Sequence, residues 1–299
     1  MVKKDILNIY VEFLKDTEQE VKSIAILKLP DICEKITEKT IIETILPLLK
    51  SLAVDPSPHV RQSIGQILVK VAKFLSTENL IEHIVPIIQQ NYKDEALDVR
   101  LSIISTFGIF HQMMGSNNIK IYIIPLILEA ANEKNLRSRL AIVEYLPKLC
   151  KEVGYDLFKE KLMDFMNSFL FDHFSAIREQ AMNNLISLNE MYGYEKIKDM
   201  IFAGLTALAT NPNYLFRITA LHALIKLKDI IPIQHLNNLY NDFQNKLVND
   251  KVPNVRFNLI KTYIALKDKS KDADKNFKVL EVLKKDVDGD VKFMISQAN

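Results

Sequence analysis

The sequence is poor in residues that form tight turns, and it has no long apolar run. Seven glycines and ten prolines among 299 residues leave little room for sheets with tight hairpins. No apolar stretch approaches the ~18 residues of a membrane-spanning helix. The formal charge is +2, too balanced to attract nucleic acid or a membrane through bulk electrostatics. We therefore expect a soluble, helical, cytoplasmic protein, with the nucleus as a second compartment, that binds neither nucleic acid nor a membrane.

A polar turn followed by an apolar-periodic segment recurs at a constant interval. Its clearest copy is Asp172–Arg178, and steps of 39 residues from Arg178 meet a cation in both directions, with a last step of 36. A short acceptor side chain stands six residues before each cation. The cations are Lys22, Arg61, Arg100, Arg139, Arg178, Arg217, Arg256 and Lys292, and the acceptors are Asp16, Asp55, Asp94, Glu133, Asp172, Asn211, Asp250 and Asp286.

This period indicates the fold class. One turn and two helices in about 40 residues are typical of HEAT or armadillo repeats, whereas ankyrin and TPR units have ~33 and ~34. Apolar residues stand three and seven positions after each cation, as Ile64 and Leu68 do after Arg61, which stacked helices require. We predict an all-α, right-handed superhelical HEAT-repeat solenoid of about eight helix pairs, forming one array over residues 1–299. Its turns are expected near 16–22, 55–61, 94–100, 133–139, 172–178, 211–217, 250–256 and 286–292.

Three local features carry further expectations. Asp55 and Ser57 precede the second helix of one unit, where short side chains accept from unpaired backbone N–H groups. The charged stretch 267–276 interrupts the period and is expected to be an exposed loop. Cys33 and Cys150 share one column three repeats apart, roughly 30 Å at ~10 Å per repeat, which is too far for a disulfide. Both should be free, buried thiols.

The matching columns of opposite charge suggest a structural ladder, in which each cation reaches the acceptor of its own or an adjacent repeat. A row of arginines could instead bind phosphate, but each such contact needs an uncompensated cation. We therefore favour the ladder. Its residues are Asp55, Arg61, Asp94, Arg100, Arg139, Asp172, Arg178, Arg217, Asp250 and Arg256.

Other chemistry has little support. No histidine stands at metal-ligand spacing from another histidine or a cysteine, and no nucleotide-binding glycine motif or nucleophile motif is present. The residue after each cation varies without the stacking pattern of a base-reading solenoid. We predict a protein with no enzymatic activity and no cofactor. What remains is the row of turns, which in later repeats carries apolar residues suited to a protein-binding ridge: Leu136, Phe174, Tyr214, Leu215 and Val252.

The turn sequences resemble those of a known family. The segments are DPSPHVR, KDEALDVRLSIIS, RSRLAIVEYLP, DHFSAIRE, NPNYLFR and VPNVRFN. In order and in phase with the period, they are similar to the scaffold, or structural A, subunit of protein phosphatase 2A. The resemblance runs from about residue 5 to 295 and implies the C-terminal half of a longer HEAT array. It also implies two partners: the phosphatase catalytic subunit, and B-type regulatory subunits whose surface is mostly missing here.

By position, the resemblance implies a catalytic-subunit surface on the later turns. It would comprise Leu136, Arg137, Phe174, Ser175, Asn213, Tyr214, Leu215, Val252, Asn254, Asp288, Gly289 and Asp290. Leu136 stands where the family commonly has Trp, and Ser175 where it commonly has Tyr, so aromatic anchors are absent at both places. Two alternatives stay open. One is a transport-receptor type of adaptor, which predicts an acidic inner surface, and the other is a nucleic-acid enzyme, which predicts an unpaired basic groove.

Overall fold

The protein consists of helices that follow one another along the chain and are joined by turns. The computed structural model describes residues 4–129, 134–267, 269 and 278–298, and within these ranges it contains helices and turns but no strand. The all-α prediction is confirmed. The chain divides into two compact units, Met1–Leu162 and Met163–Asn299. Most of the predicted loop at 267–276 lies outside the described residues, and the single array over 1–299 stays a prediction.

The first unit pairs a leading helix with a following helix in each repeat. The leading helices contain α1 (Lys4–Leu14), α3 (Glu38–Thr40, the π-helical turn Ile41–Ile45 and Leu46–Leu52), α5 (Thr77–Asn79, the π-helical turn Leu80–Ile84 and Val85–Tyr92) and α8 (Ile124–Glu129). The following helices are α2 (Gln19–Cys33), α4 (Pro58–Ala72), α6 (Leu97–Ile104) together with the first part of α7 (Phe107–Tyr122), and the first part of α9 (Leu136–Leu157), which continues into the π-helical turn Phe158–Leu162. Helices α7 and α9 are kinked at Gly115 and Gly154, and beyond each kink the chain enters the next leading helix. Helix α2 packs on α4, α4 on α6, and both α6 and α7 on α9.

The second unit repeats the arrangement. Its leading helices are α10 (Met163–Ser168, followed by the 3-10 turn Phe169–Phe171), α12 (Tyr194–Ala209), α14 (Ile233–Leu247) and α16 (Val279–Leu283). Its following helices are α11 (Ser175–Tyr192), α13 (Tyr214–Leu227), α15 (Pro253–Lys267) and α17 (Gly289–Ala298). Helices α11, α13, α15 and α17 pack one on the next, as do α10, α12 and α14.

The columns found in the sequence form the core. Three positions after the cations, the side chains from Ala25 to Ile295 are all buried, and Ile64 and Ile103 have no exposed surface. The column seven positions after is buried from Leu29 to Tyr263. Because a fully buried Leu or Ile contributes about 1.5–3 kcal/mol, these two columns account for much of the packing between repeats.

A further column, at the start of each leading helix, was not foreseen. Thr37 and Ser76 cap two of these helices by accepting from the N–H of the third residue on. The next three members are Gly115, Gly154 and Gly193, with φ of 75°, 78° and 83°. Left-handed backbone of this kind costs a residue with a Cβ about 1–2 kcal/mol. The glycines are therefore required where the hydroxyl cap is lost.

Arginines join the turn of one repeat to the turn of the next. Arg61 donates through Nε and Nη2 to both carboxylate oxygens of Asp94, at 2.6 and 2.8 Å. Its Nη1 donates to the carbonyl oxygens of Asp55 and Pro56 in its own turn, and the side chain is buried. A planar, bidentate pair between opposite charges fixes the orientation of both partners. The two turns are therefore held at a defined spacing.

The same fork occurs twice in the second unit. Arg217 donates to Asp250 at 2.7 and 2.9 Å, and Arg256 donates to Asp286 at 2.6 and 2.8 Å. In each case Nη1 donates to the backbone carbonyl of the acceptor position in its own repeat, which is Asn211 or Asp250. At the acceptor position, the side-chain carboxylate thus binds the arginine of the preceding repeat, whereas the backbone carbonyl binds the arginine of the same repeat.

The ladder differs at Arg100. Its Nη2 donates to the Ser138 hydroxyl at 2.9 Å, and Glu133, the acceptor expected from the sequence, lies outside the described residues. Arg139 donates through Nη1 to the carbonyl of Lys134 at 3.3 Å. Arg100 and Arg139 thus donate to a hydroxyl and to a carbonyl, whereas Arg61, Arg217 and Arg256 donate to carboxylates of the next repeat.

The aspartates also shape the turns themselves. Asp55 Oδ1 accepts from the N–H of Ser57 at 2.9 Å, and Asp94 Oδ1 accepts from that of Ala96 at 2.8 Å. The expected cap by Ser57 is wrong: its side chain accepts no helix N–H, and its hydroxyl donates to Gln19 instead. One aspartate therefore closes its own turn and anchors the preceding arginine.

Both cysteines are buried thiols, and neither forms a disulfide. Burial raises the pKa of the Cys33 thiol to about 12 and raises that of Cys150. Within the part of the chain that the structure covers, no helix combines the length and apolarity that crossing a membrane requires.

The last fork predicts a pH dependence. The hydrogen bonds from Arg256 lower the pKa of the Asp286 carboxyl, so its contribution is present above the ordinary carboxyl pKa and is lost as pH falls through the lowered value. We expect Asp286→Asn, which keeps the turn's acceptor oxygen, to lower the free energy of unfolding by about 1.5–3 kcal/mol at pH 7. Urea unfolding should show this difference shrinking below about pH 4.

The control is Glu281→Gln, which removes an exposed carboxylate from the neighbouring helix. It should leave stability unchanged at both pH values. A difference for Asp286→Asn that stays constant from pH 7 to pH 3 would contradict the assigned role of the charge.

Candidate protein-binding surface

The second unit displays apolar and aromatic side chains at successive turns. Phe174, Tyr214 and Leu215 are 46%, 40% and 42% exposed. Exposed hydrophobic residues are ordinary when scattered, but these stand at equivalent turns of consecutive repeats. We name these three residues, together with Ser175, Asn213, Val252, Asn254, Asp288, Gly289 and Asp290, the turn surface of the second unit.

The turn surface is held by the same side-chain-to-backbone bonds that close the turns. Asp172 Oδ1 accepts from the N–H of Phe174 at 2.8 Å, and Asn211 Oδ1 accepts from that of Asn213 at 2.9 Å. Asn213 in turn caps α13 by accepting from the N–H of Leu215. The exposed side chains therefore project from ordered backbone. Such preorganisation lowers the entropic cost of binding.

The last two turns are built alike. Asp250 Oδ1 accepts from the N–H of Val252 at 2.9 Å, and Val252 is half-buried while Asn254 is exposed. Asp288 caps α17 by accepting from the N–H groups of Asp290 and Val291. Gly289 and Asp290 are exposed.

The two remaining residues expected from the sequence belong to the first unit. Leu136 is half-buried at the start of α9, and Arg137 is exposed. Asn135 caps this helix by accepting from the N–H groups of Arg137 and Ser138. This turn thus presents the charge of Arg137, whereas the equivalent position in the repeat of Arg217 is Leu215.

Under the turn surface, Arg178 departs from the predicted ladder. The corresponding position in the next repeat is Asn211 rather than Asp, and Nε donates to the Thr219 hydroxyl at 3.0 Å. The guanidinium also lies over the Phe216 ring, 5.5 Å from its centroid. Burial lowers the pKa of Arg178, opposed by the charge of Asp172. The acceptor position of the next repeat therefore offers Arg178 an amide rather than a carboxylate, and Nη1 donates to the Asp172 carbonyl within its own repeat at 2.9 Å.

Sequence reasoning missed two aromatic residues near the turn surface. Phe257 and Phe293 stand directly after the cations of the last two repeats, and both line a groove with Tyr214. Their shared position was the available signal. The column of residues that follow the cations carries no common chemical character, so these two aromatic residues do not stand out in the sequence.

The histidines make local contacts. His222 hydrogen-bonds to Asn258, and His235 hydrogen-bonds to Tyr194 and packs against its ring. Among the described residues, no group of three or more histidine, cysteine or acidic side chains is placed to hold a metal ion.

Comparison with known proteins supports the repeat class. A family model described as PPP2R1A-like HEAT repeat matches residues 1–75. No curated protein matches the sequence. The matched segment is about a quarter of the chain.

Solved structures with similar folds include karyopherins. The crystal structure of Kap121p has a TM-score of 0.67 and 17% sequence identity, and the match covers 99% of this chain and 33% of that one. Kap121p bound to the extreme C-terminus of the protein phosphatase Cdc14p gives a TM-score of 0.68 at 16% identity, covering 100% and 33%. Kap121p bound to Pho4p gives 0.67 at 16%, with the same coverage. This chain thus spans about a third of the length of those proteins.

Together these findings define the chain as a HEAT-repeat protein with a solenoid fold, as the period predicts.

The missing carboxylate at Arg178 leads to a prediction. Because Asn211 already accepts from the N–H two residues on, as Asp250 does, Asn211→Asp should place a carboxylate where Arg178 can use it. We expect the free energy of unfolding to rise by about 1 kcal/mol, less at high salt. Asn213→Asp adds the same charge in the same turn and exchanges one good helix cap for another, so it should change stability little. Equal effects of both substitutions in urea unfolding would refute the specific pairing.

Proposed function

We propose that this chain is a non-catalytic scaffold that docks the catalytic subunit of a type 2A protein phosphatase through the turn surface of its second unit. The observation that carries the proposal is the exposure of Phe174, Tyr214 and Leu215 at successive ordered turns. The segments around them resemble the phosphatase scaffold family, and the PPP2R1A-like HEAT model matches the first 75 residues. Leu136 and Arg137 of the first unit join the proposed site by resemblance.

The chemistry of the surface suits a protein partner. Aromatic and aliphatic side chains exposed on rigid turns bury large areas at small entropic cost. The arginines beneath them are engaged within the fold: Arg217 and Arg256 are bound by carboxylates, and Arg178 by Thr219 and backbone carbonyls. This engagement leaves these arginines little capacity for phosphate contacts, which favours a protein partner over nucleic acid.

A groove in the first unit favours a second candidate, an adaptor that binds peptide segments of other proteins. It lies between α2 and α4, has a volume of about 440 Å³, and is lined by Ile24, Leu27 and the side chains of His59, Gln62 and Gln66. Ile24 and Leu27 are 63% and 43% exposed. Apolar side chains with a polar amide rim suit an extended peptide.

A calorimetric titration with purified phosphatase 2A catalytic subunit tests the first proposal. We expect binding by the wild-type chain, and a dissociation constant raised about 10- to 100-fold by Phe174→Ala with Leu215→Ala, because buried anchors typically contribute 1–3 kcal/mol. Arg137→Ala then tests the contribution of the first unit. Regulatory B-type subunits, added to the complex, show whether a second partner surface is present.

The matched control is Ile9→Ala with Ile121→Ala, which removes similarly exposed apolar groups at 59% and 61% outside the proposed surface. It should bind as the wild type does. Absence of binding by the folded, helical wild-type chain would overturn the proposal and bring the groove between α2 and α4 forward as the functional site.

A further inference from the structure

A groove of about 680 Å³ runs along the starts of the last three following helices, α13, α15 and α17. Its walls carry three aromatic rings, one from each helix: Tyr214, Phe257 and Phe293. Phe293 is 62% exposed, so a large ring stands unshielded at one end. Rings spaced along a groove offer flat, electron-rich faces to whatever enters it.

One side of the same groove is acidic. Asp288 and Asp290 line it, and no lysine or arginine is among the lining residues. The nearby Asp286 differs, because its charge is bound by Arg256. Within the described part of the second unit, neither Asp288 nor Asp290 forms an ion pair. The groove therefore presents two carboxylates beside the aromatic side chains. Asp288 also interacts with the charge of Arg256 and accepts from two backbone N–H groups.

We propose that this groove binds an arginine side chain on the docking segment of the protein partner. A guanidinium stacks on aromatic faces and donates paired, coplanar hydrogen bonds to carboxylates, and both groups are present here. Lysine offers a point charge without the flat face, so it fits less well. In naming the partner, the inference rests on the proposed phosphatase docking, because the groove adjoins the same turn surface.

The geometry also gives a variant that changes charge without breaking the fold. Asp288 caps α17 through Oδ1, and asparagine is as good a cap as aspartate. Asp290 is exposed on the first turn of that helix. The double variant Asp288→Asn, Asp290→Asn therefore removes both charges from the groove while keeping the cap and the three rings.

The direct test uses a short peptide and needs no phosphatase. The probe is acetyl-Leu-Arg-Leu-amide, compared with the same peptide carrying citrulline, which has the shape of arginine without its charge. With 4-fluorophenylalanine at position 293 as a fluorine NMR reporter, we expect the arginine peptide to bind at least about fivefold more tightly than the citrulline peptide. The double variant should abolish this preference. Equal binding of both peptides by the wild type, or no binding, would overturn the inference.

The matched control is Glu95→Gln with Asp98→Asn, which removes two exposed carboxylates at the start of α6 in the first unit. Glu95 lies 3.7 Å from Arg61 Nη2, far from the groove in sequence and in the other unit. It should keep the preference for arginine. Loss of the preference in this variant would attribute the effect to net charge and overturn the assignment to the groove.

Calorimetry with the catalytic subunit distinguishes failure of the proposed phosphatase docking from failure of the proposed arginine-binding groove. If the subunit binds and the double variant weakens binding with a flatter salt dependence, the groove contributes to docking as proposed. If the subunit binds and the double variant binds equally well, docking stands and the inference fails. If the subunit does not bind but the arginine peptide does, the phosphatase proposal fails and the groove keeps its assigned ligand chemistry.

Discussion

The fork between an arginine and the aspartate of the following repeat is the interaction on which the rest of each unit depends. It is buried, bidentate and charge-assisted, as Arg61 with Asp94 shows. Breaking such a pair leaves a buried charge uncompensated, which is far more costly than the pair itself is favourable. Apolar columns bring neighbouring helices together but tolerate sliding. The fork removes that freedom, because its planar geometry accepts one relative position of the two turns.

The same aspartate closes the turn that carries the exposed side chains, and this couples stability to recognition. Asp250 accepts from the N–H of Val252 and from Arg217 at once, so the backbone at the turn surface is set by the preceding repeat. The exposed side chains take no part in this. Tyr214 and Leu215 project outward from a turn whose geometry is fixed by others, so they are free to vary in sequence without loss of the fold.

Much of the fold could be predicted because the repeat makes each position informative eight times. The columns headed by Ile64 and Leu68 are buried in every described copy, and the cation and acceptor columns locate the turns. The misses occur where one copy departs from the rest. Thr219 and Phe216 receive Arg178 because Asn211 has no charge to offer. The glycines from Gly115 to Gly193 replace hydroxyl caps by backbone conformation. Helix propensity predicts neither of these departures, because the first depends on a contact with another repeat and the second depends on a left-handed φ.

The site was less predictable than the fold for a related reason. Exposure at Phe174 follows from its place in a turn, but a groove depends on how side chains from three helices meet. Phe257 and Phe293 share a column with Gln62, Leu101 and Glu179, so the column read as a whole has no chemical character. It acquires one only in the last two repeats, where Phe257 and Phe293 line one groove with Tyr214, Asp288 and Asp290. Periodicity identifies what the repeats have in common, whereas function is determined by what differs between them, and those differences have meaning only once the neighbouring helices are placed.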